Sequence, residues 1–123
     1  MSALALPDVL ETVHQPGTSD LSATGVADLF GLQLQDLAAI AAVHRNTIRT
    51  HPNSAKLQAA LRDLMRVLSA ASSVQPDKDR ALFLIKNAPI RAFRHKTILQ
   101  LVTEGRTEDA IDYLESIGSG YVG

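Results

Sequence analysis

The sequence predicts an all-α protein, built as a helix-turn-helix bundle followed by a small helical domain. Three observations support this class: apolar residues recur at three- and four-residue steps, helix-capping residues stand where the apolar runs begin and end, and no segment alternates strictly enough to require a strand. We expect a flexible segment over residues 1–19, a helix-turn-helix over 20–55 and a second domain over 56–123.

The composition excludes several classes of protein. The chain has 123 residues, 46% of them apolar, and no Cys, which excludes a disulfide-stapled scaffold and a thiolate metal site. The longest apolar run, Leu37 to Val43, is far shorter than the roughly 18 residues that a membrane span needs. The first ten residues lack the basic start of a signal peptide. We therefore expect a cytoplasmic protein without membrane contact.

Charge is segregated along the chain. Residues 1–36 carry five acids and no Lys or Arg, residues 37–96 carry eleven bases against three acids, and residues 97–123 carry five acids against one base. A basic middle attracts a polyanion that the acidic ends would repel, although ordinary solvated helix faces give the same pattern.

Two short helices are predicted before residue 42. A first apolar stripe, Leu21 to Phe30, ends at Gly31, a favourable helix stop. A second stripe runs from Leu34 to Ala41 at helical spacing.

The strongest periodicity runs from Lys56 to Ala71 and predicts an amphipathic helix. We expect Ser72, Ser73 and Pro76 to end it.

Three shorter helices follow. Asp77 and Asp79 begin the first, which ends at Asn87 to Pro89 because a residue before proline avoids the helical region. In the second, Thr97 and Gln100 form a capping box and Gly105 follows the last turn. The third begins at the cap Thr107, with Glu108 and Asp109 in its first turn, and ends at Gly118.

Residues 37–49 have the spacing of a helix-turn-helix. Ala38 is the small residue of the first helix, Ala42 occupies the turn where glycine is more usual, Val43 is the apolar plug, and Ile48 anchors the second helix. The positions left facing outward carry donors suited to phosphate oxygens and base edges, and are predicted to bind operator DNA: His44, Arg45, Asn46, Thr47 and Arg49. A helix pair that serves only for packing would show the same small residues.

Nothing in the sequence predicts an enzyme. No two of the four histidines, His14, His44, His51 and His95, are three or four residues apart, so no helical metal site is expected. No glycine-rich loop opens a helix to hold a phosphate, and Ser69, Ser72 and Ser73 have no neighbouring His to activate them. We expect no catalytic residue, no metal and no cofactor.

The order of these parts resembles the antitoxins of the Xre/MbcA/ParS type. The matching residues are Lys56 to Leu68, Ala81 to Leu84, Asn87 with Pro89, His95 to Val102, Glu104 with Gly105, Ala110 to Leu114, and Gly118 to Val122. Phe83 stands near a usual tryptophan and is expected to keep its place as an apolar core anchor, while Thr97 replaces a usual proline as a helix start. The likeness covers roughly Leu21 to Gly123.

The resemblance implies a type II antitoxin that binds a toxin with a RES domain, an enzyme that consumes NAD or transfers its ADP-ribose. It also implies a homodimer formed through the second half, which acts as the toxin-binding domain, and a C-terminus that enters the toxin's active site. That plug would consist of Gly118, Ser119, Gly120, Tyr121, Val122 and Gly123. Its three glycines let the backbone enter a narrow cleft, and Tyr121 offers a ring with one polar group.

Other interpretations remain open. The basic loop Arg91, Arg94, His95 and Lys96 either contacts the toxin or the partner protomer, or is a solvated loop whose Arg stems cover apolar surface. The protein as a whole is either an antitoxin that also represses its own operon, an antitoxin whose helix-turn-helix is only structural, or a stand-alone transcriptional regulator whose second half only dimerises.

Overall fold

The computed structural model describes residues 13–15 and 20–118. Over these ranges the chain forms seven α-helices, a single-turn 3-10 helix and two isolated β-bridges, without a strand. In order they are α1 Ala23–Phe30, α2 Leu34–Ala41, α3 Arg45–Thr50, α4 Ala55–Val74, α5 Lys78–Asn87, the 3-10 turn Arg91–Phe93, α6 Ile98–Thr103 and α7 Thr107–Gly118. The predicted all-α class is confirmed.

The described residues fall into two compact units, divided between Leu64 and Met65. The first contains α1, α2, α3 and the first half of α4. The second contains the rest of α4 together with α5, α6 and α7. The long helix thus contributes to both units.

In the first unit the short helices are capped by local hydrogen bonds. The Ser22 hydroxyl accepts from the N–H of Gly25 at the start of α1, and the helix ends at Gly31 in the left-handed region, as predicted. At the start of α2, the backbone N–H of Gln33 donates to the Asp36 carboxylate at 3.0 Å. These contacts satisfy polar backbone groups that a helix end leaves free.

A buried amide ties the segment before α1 to the first turns of α4. The Gln58 side chain is only 4% exposed. Its Oε1 accepts from the N–H of Leu21 at 2.9 Å, and its Nε2 donates to the carbonyls of Leu21 at 3.0 Å and Pro52 at 2.9 Å. Because each polar atom has a partner, its burial is tolerated.

The same region includes the described part of the segment expected to be flexible. Val13 is buried, its carbonyl accepts from the N–H of Ser22, and His14 forms an isolated β-bridge with Leu21. Residues 1–12 and 16–19 lie outside the described residues.

Helix α4 buries the apolar stripe that its periodicity predicts. Leu57, Leu61, Leu64 and Ala71 are 0% exposed and Leu68 is 1% exposed.

The expectation that Ser72 and Ser73 end this helix is wrong, because α4 continues to Val74. Serine costs little inside a helix, and the Ser73 hydroxyl donates to the Ser69 carbonyl one turn earlier at 3.4 Å. Pro76 is the residue that stops the helix, since it excludes helical geometry at the residue before it.

Two of the predicted N-caps of the second unit are present, while Thr107, predicted as the cap of α7, is instead its first helical residue, because the N–H of Ala110 donates to the Arg106 carbonyl. The Asp77 carboxylate accepts from the N–H of Arg80 at the start of α5. Thr97 and Gln100 form both hydrogen bonds of the capping box that opens α6. An ion pair of 2.8 Å joins Arg66, in the second half of α4, to Glu108 in the first turn of α7.

Shortening the buried leucines of α4 tests the placement of the core. Leu61→Ala or Leu64→Ala should lower the free energy of unfolding by about 2–5 kcal/mol, because each removes a fully buried side chain and leaves a cavity. Arg62→Ala, at an exposed position of the same helix, is the matched control and should change it by less than about 0.5 kcal/mol. Urea unfolding followed by circular dichroism measures all three. A loss under about 1 kcal/mol for both leucines would show that the stripe is not the core.

Candidate nucleic-acid and partner-binding surfaces

Helices α2 and α3 form the predicted helix-turn-helix. Ala38 and Ile48 are buried and Val43 is half-buried, so the small residue, the anchor and the plug all face inward. Ala42 ends α2 in the left-handed region, with φ 57° and ψ 44°. The N–H of Val43 donates to the Ala38 carbonyl and that of Ala42 to the Ala39 carbonyl, the pattern of a Schellman cap. An alanine therefore holds a conformation that glycine adopts more easily.

Three of the five residues predicted to face DNA line one groove of about 550 Å³ in the first unit, namely Arg45, Asn46 and Arg49. Its other walls come mainly from the first residues of α1 and α2, Ser22 to Thr24 and Gln33 to Gln35. No carboxylate side chain is among the lining residues that the structure describes. The two guanidinium groups favour an anion in this groove, whereas the first turn of α2 already holds the Asp36 carboxylate.

The other two predicted residues do not line this groove. The Nδ1 atom of His44 accepts the N–H of Asn46 at 3.1 Å, which caps α3. Thr47 is half-buried and borders a separate depression with Thr50 and His51. Of the five predicted residues, the structure therefore places Arg45, Asn46 and Arg49 along this groove, while His44 and Thr47 lie outside its lining.

The basic loop of the second unit is a tight structure closed on itself. The N–H of Ile90 donates to the Lys96 carbonyl at 2.9 Å, and the N–H of His95 donates to the Ile90 carbonyl at 2.8 Å. Arg94 and His95 both have positive φ, 57° and 68°, which costs an L residue about 1–2 kcal/mol. The cross-loop hydrogen bonds hold this strained backbone, and the exposed side chains of Arg91, Arg94 and His95 project from it.

Lys96 differs from its neighbours in the loop. Its Nζ donates to both carboxylate oxygens of Glu104 at 2.7 Å. Its charge is therefore balanced at the end of α6, and the net positive charge of the loop comes from the arginines.

An aromatic stack joins the loop to α7. The guanidinium carbon of Arg106 lies 5.0 Å from the centre of the Phe93 ring, and the Phe93 and Tyr113 rings meet edge to face with centroids 6.2 Å apart. Arg106 also pairs with Asp109 at 2.9 Å. Phe93 is half-buried, and it fixes the loop against the last helix.

The predicted plug begins where α7 ends. Gly118 is the last residue of α7, and a Cβ atom added there would lie 2.8 Å from Cγ2 of Val74. Glycine thus permits the close approach of α7 to the end of α4. Ser119, Gly120, Tyr121, Val122 and Gly123 lie outside the described residues.

The expectation that Phe83 is a core anchor is wrong. Its side chain is 64% exposed, whereas Ala81 and Ile85 of the same helix are 0% exposed. Residues two positions before and after Phe83 lie on the opposite side of a helix, so the inward face of α5 leaves Phe83 outside. The two-residue spacing between Phe83 and the buried Ala81 and Ile85 is visible in the sequence, and it is the signal that could have predicted the exposure of Phe83.

Two properties of the described residues bear on other functions. None of the helices within 13–15 and 20–118 is long and apolar enough to cross a membrane. Over the same ranges no three His, Asp or Glu side chains form a group that would hold a metal ion.

No protein-family model and no curated protein matches this sequence. A solved structure does match: the crystal structure of the M. tuberculosis MbcT–MbcA toxin–antitoxin complex, in which the matching chain is the antitoxin MbcA. The alignment has a TM-score of 0.62, and it covers 83% of this chain and 95% of the other. This chain has the MbcA fold. Because only 18% of the residues are identical, the match with MbcA concerns the course of the backbone, and the roles of individual residues depend on their own chemistry.

Substituting glycine for alanine tests the left-handed conformation of Ala42. The change in the free energy of unfolding should have opposite signs at Ala42 and at an ordinary helical alanine. Ala42→Gly should raise the free energy of unfolding by about 0.5–1 kcal/mol, because relief of the positive-φ strain exceeds the added freedom of the unfolded chain. Ala59→Gly, at an exposed helical position of α4, should lower it by about 1 kcal/mol. Urea unfolding of both variants measures the difference. Equal losses at the two positions would show that residue 42 is not in the left-handed region.

Proposed function

We propose that this chain is the antitoxin of a type II toxin–antitoxin pair. It binds and neutralises a toxin with a RES domain, an enzyme that consumes NAD or transfers its ADP-ribose. The observation that carries the proposal is the MbcA fold over 83% of the chain. The ordered motifs of the second half add support, because they resemble the toxin-binding domain of the Xre/MbcA/ParS antitoxins.

In this proposal the C-terminus inhibits the toxin by entering its active site. Helix α7 ends at Gly118 against Val74, and the plug residues Ser119 to Gly123 follow directly in the sequence. Glycines at 118, 120 and 123 suit a narrow cleft, and Tyr121 supplies an aromatic ring with a hydroxyl group.

The basic loop supplies a second contact to the toxin. Arg91, Arg94 and His95 are exposed on a backbone that is already fixed by hydrogen bonds and by the Phe93 stack. A fixed loop loses little conformational freedom on binding, which favours affinity. Lys96 belongs to the same loop and is included in this toxin contact. Its ammonium group is paired with Glu104.

We further propose that the first unit binds operator DNA and represses the operon. Arg45 and Arg49, one helical turn apart, line the groove with the N-termini of α1 and α2, and make no ion pair within the described part of the chain. The guanidinium groups of Arg45 and Arg49 are suited to phosphate oxygens, and the amide of Asn46 beside them is suited to a base edge. His44 contributes by capping α3, and Thr47 borders a separate depression beside the same helix.

The same resemblance implies that the protein acts as a homodimer. Composition and motifs predict that it acts in the cytoplasm, without catalysis and without a cofactor. The alternative is a stand-alone transcriptional regulator whose second half only dimerises.

Deletion of the plug distinguishes the hypothesis of an antitoxin from that of a stand-alone regulator. The full chain should restore growth to cells that express the RES-domain protein encoded beside it. Deletion of residues 119–123, which leaves α7 intact, should abolish this rescue while the truncated chain still copurifies with the toxin. Tyr121→Phe, which keeps the ring, should rescue better than Tyr121→Ala. Full rescue by the folded, truncated chain would exclude the plug, and absence of any toxin binding by the full chain would favour the stand-alone regulator.

A double substitution tests DNA binding by the groove. Arg45→Ala with Arg49→Ala should weaken operator binding at least about tenfold at fixed salt, and reduce the salt dependence by about two counterions. Arg62→Ala, an exposed base of α4 that does not line the groove, is the matched control and should have a smaller effect. Electrophoretic mobility shift and toxin copurification measure the two activities. Unchanged operator affinity would mean that the helix-turn-helix is only structural.

A further inference from the structure

Two glutamine side chains of the first unit hold the same two segments of backbone. The Gln58 amide, only 4% exposed, accepts from the N–H of Leu21 and donates to the carbonyls of Leu21 and Pro52. The Nε2 atom of Gln15 donates to the same Leu21 carbonyl at 3.0 Å and to Oδ1 of Asn53 at 3.3 Å. We call these hydrogen bonds of Gln15 and Gln58 the glutamine clamp.

Both segments that the clamp holds contribute to the groove proposed to bind operator DNA. The first consists of residues 13–15 and 20–22, of which Gln15 and Ser22 line the groove. The second is the corner between α3 and α4, residues 51–54, of which Pro52 lines the groove. Arg49 of the same groove stands in the last turn of α3, directly before this corner. The clamp therefore joins two parts of the groove's boundary.

Neither segment is part of a helix, and each is closed by hydrogen bonds of its own. The N–H of Gln15 donates to the Asp20 carbonyl at 2.8 Å, and the N–H of Ser54 donates to the His51 carbonyl at 3.0 Å. Such local bonds fix the shape of each segment but not the distance between the two. Gln15 and Gln58 supply hydrogen bonds that set this distance.

Hydrogen bonds suit this task better than apolar contacts do. They require a narrow range of lengths and angles, whereas the attraction between apolar surfaces has no preferred direction. Opening the clamp at Gln58 is also costly, because it leaves a buried amide and the backbone groups of Leu21 and Pro52 without partners. The clamp is therefore stiff, and it sets the spacing of the groove before any ligand binds.

We propose that Gln58, assisted by Gln15, is a positioning residue for operator binding. It holds the segment before α1 at the distance from the α3–α4 corner at which both segments meet one stretch of the DNA backbone. Gln58 is too deeply buried to touch the DNA itself. It acts through Arg45 and Arg49, whose guanidinium groups pair best with phosphate oxygens when their geometry is preformed. The inference rests on the proposed binding of operator DNA, and it adds two residues outside the helix-turn-helix to that function.

A double-mutant cycle on operator binding tests this role. The full chain is titrated at fixed salt into a labelled DNA duplex from the promoter of its own gene, and fluorescence anisotropy gives the dissociation constant. Gln58→Met, which keeps the length of the side chain and removes its hydrogen bonds, should weaken binding about tenfold in protein that circular dichroism shows to be folded. In that background, Arg45→Ala with Arg49→Ala should cost at least about threefold less than in the unmodified chain, because the arginines no longer meet the phosphates in register.

Two further variants complete the test. Gln15→Met removes the half-buried arm of the clamp and should weaken binding about threefold, again non-additively with the arginine pair. This variant decides the question if Gln58→Met does not fold. Leu61→Ala is the matched control, because it destabilises the same unit through a cavity in the same helix and leaves the clamp in place. Folded Leu61→Ala should bind the duplex as tightly as the unmodified chain.

Three results would overturn the proposal: a folded glutamine variant that binds the duplex as tightly as the unmodified chain, an effect of the glutamine variants that simply adds to that of the arginine pair, or a folded Leu61→Ala chain that loses as much affinity as they do. Failure of the proposed DNA binding is distinguishable from these results. In that case the unmodified chain shows no binding that depends on Arg45 and Arg49, and the positioning role falls with it.

Discussion

Burial of one leucine stripe along α4 is the constraint on which the rest of the structure depends. From Leu57 to Ala71 the inward positions of this helix are almost completely removed from water. The first three helices have six to eight residues each, and isolated helices of that length are unstable in water. They persist because apolar side chains such as Phe30 and Leu37 are buried in the folded unit. A continuous α4 supplies buried leucines to both units.

How much of this could be predicted depends on how local each feature is. The Thr97 capping box, the stop at Gly31 and the period of α4 follow from hydrogen bonds and spacing within a few residues, and the structure has them where the sequence predicts them. Ser72 and Ser73 do not end α4, because serine is only a weak helix breaker and Ala71, just before them, is buried. The burial of Gln58 depends on carbonyls of Leu21 and Pro52 that only the folded chain brings near.

The candidate surfaces also combine features that the sequence predicts with features that only the folded chain shows. The residue types of a helix-turn-helix predict which helix carries the donors, but not that His44 uses its ring nitrogen to cap α3. A run of bases predicts a positive loop, but not that Glu104 balances Lys96 or that Arg94 and His95 hold positive φ. The charge segregation along the chain has a structural counterpart: a groove of the first unit whose described lining residues include no acid, and exposed bases on a hydrogen-bonded loop in the second unit.

The proposed neutralisation of a toxin by the second unit predicts where the chain becomes protected when it binds. Amide hydrogen exchange of the full chain, measured alone and in complex with the proposed RES-domain toxin, reports this for each segment. The predicted result is slower exchange over residues 90–97 and from the end of α7 to residue 123, with little change over α2 and α3. Protection confined to α2 and α3, with residues 119–123 exchanging as fast in the complex as in the free chain, would refute it.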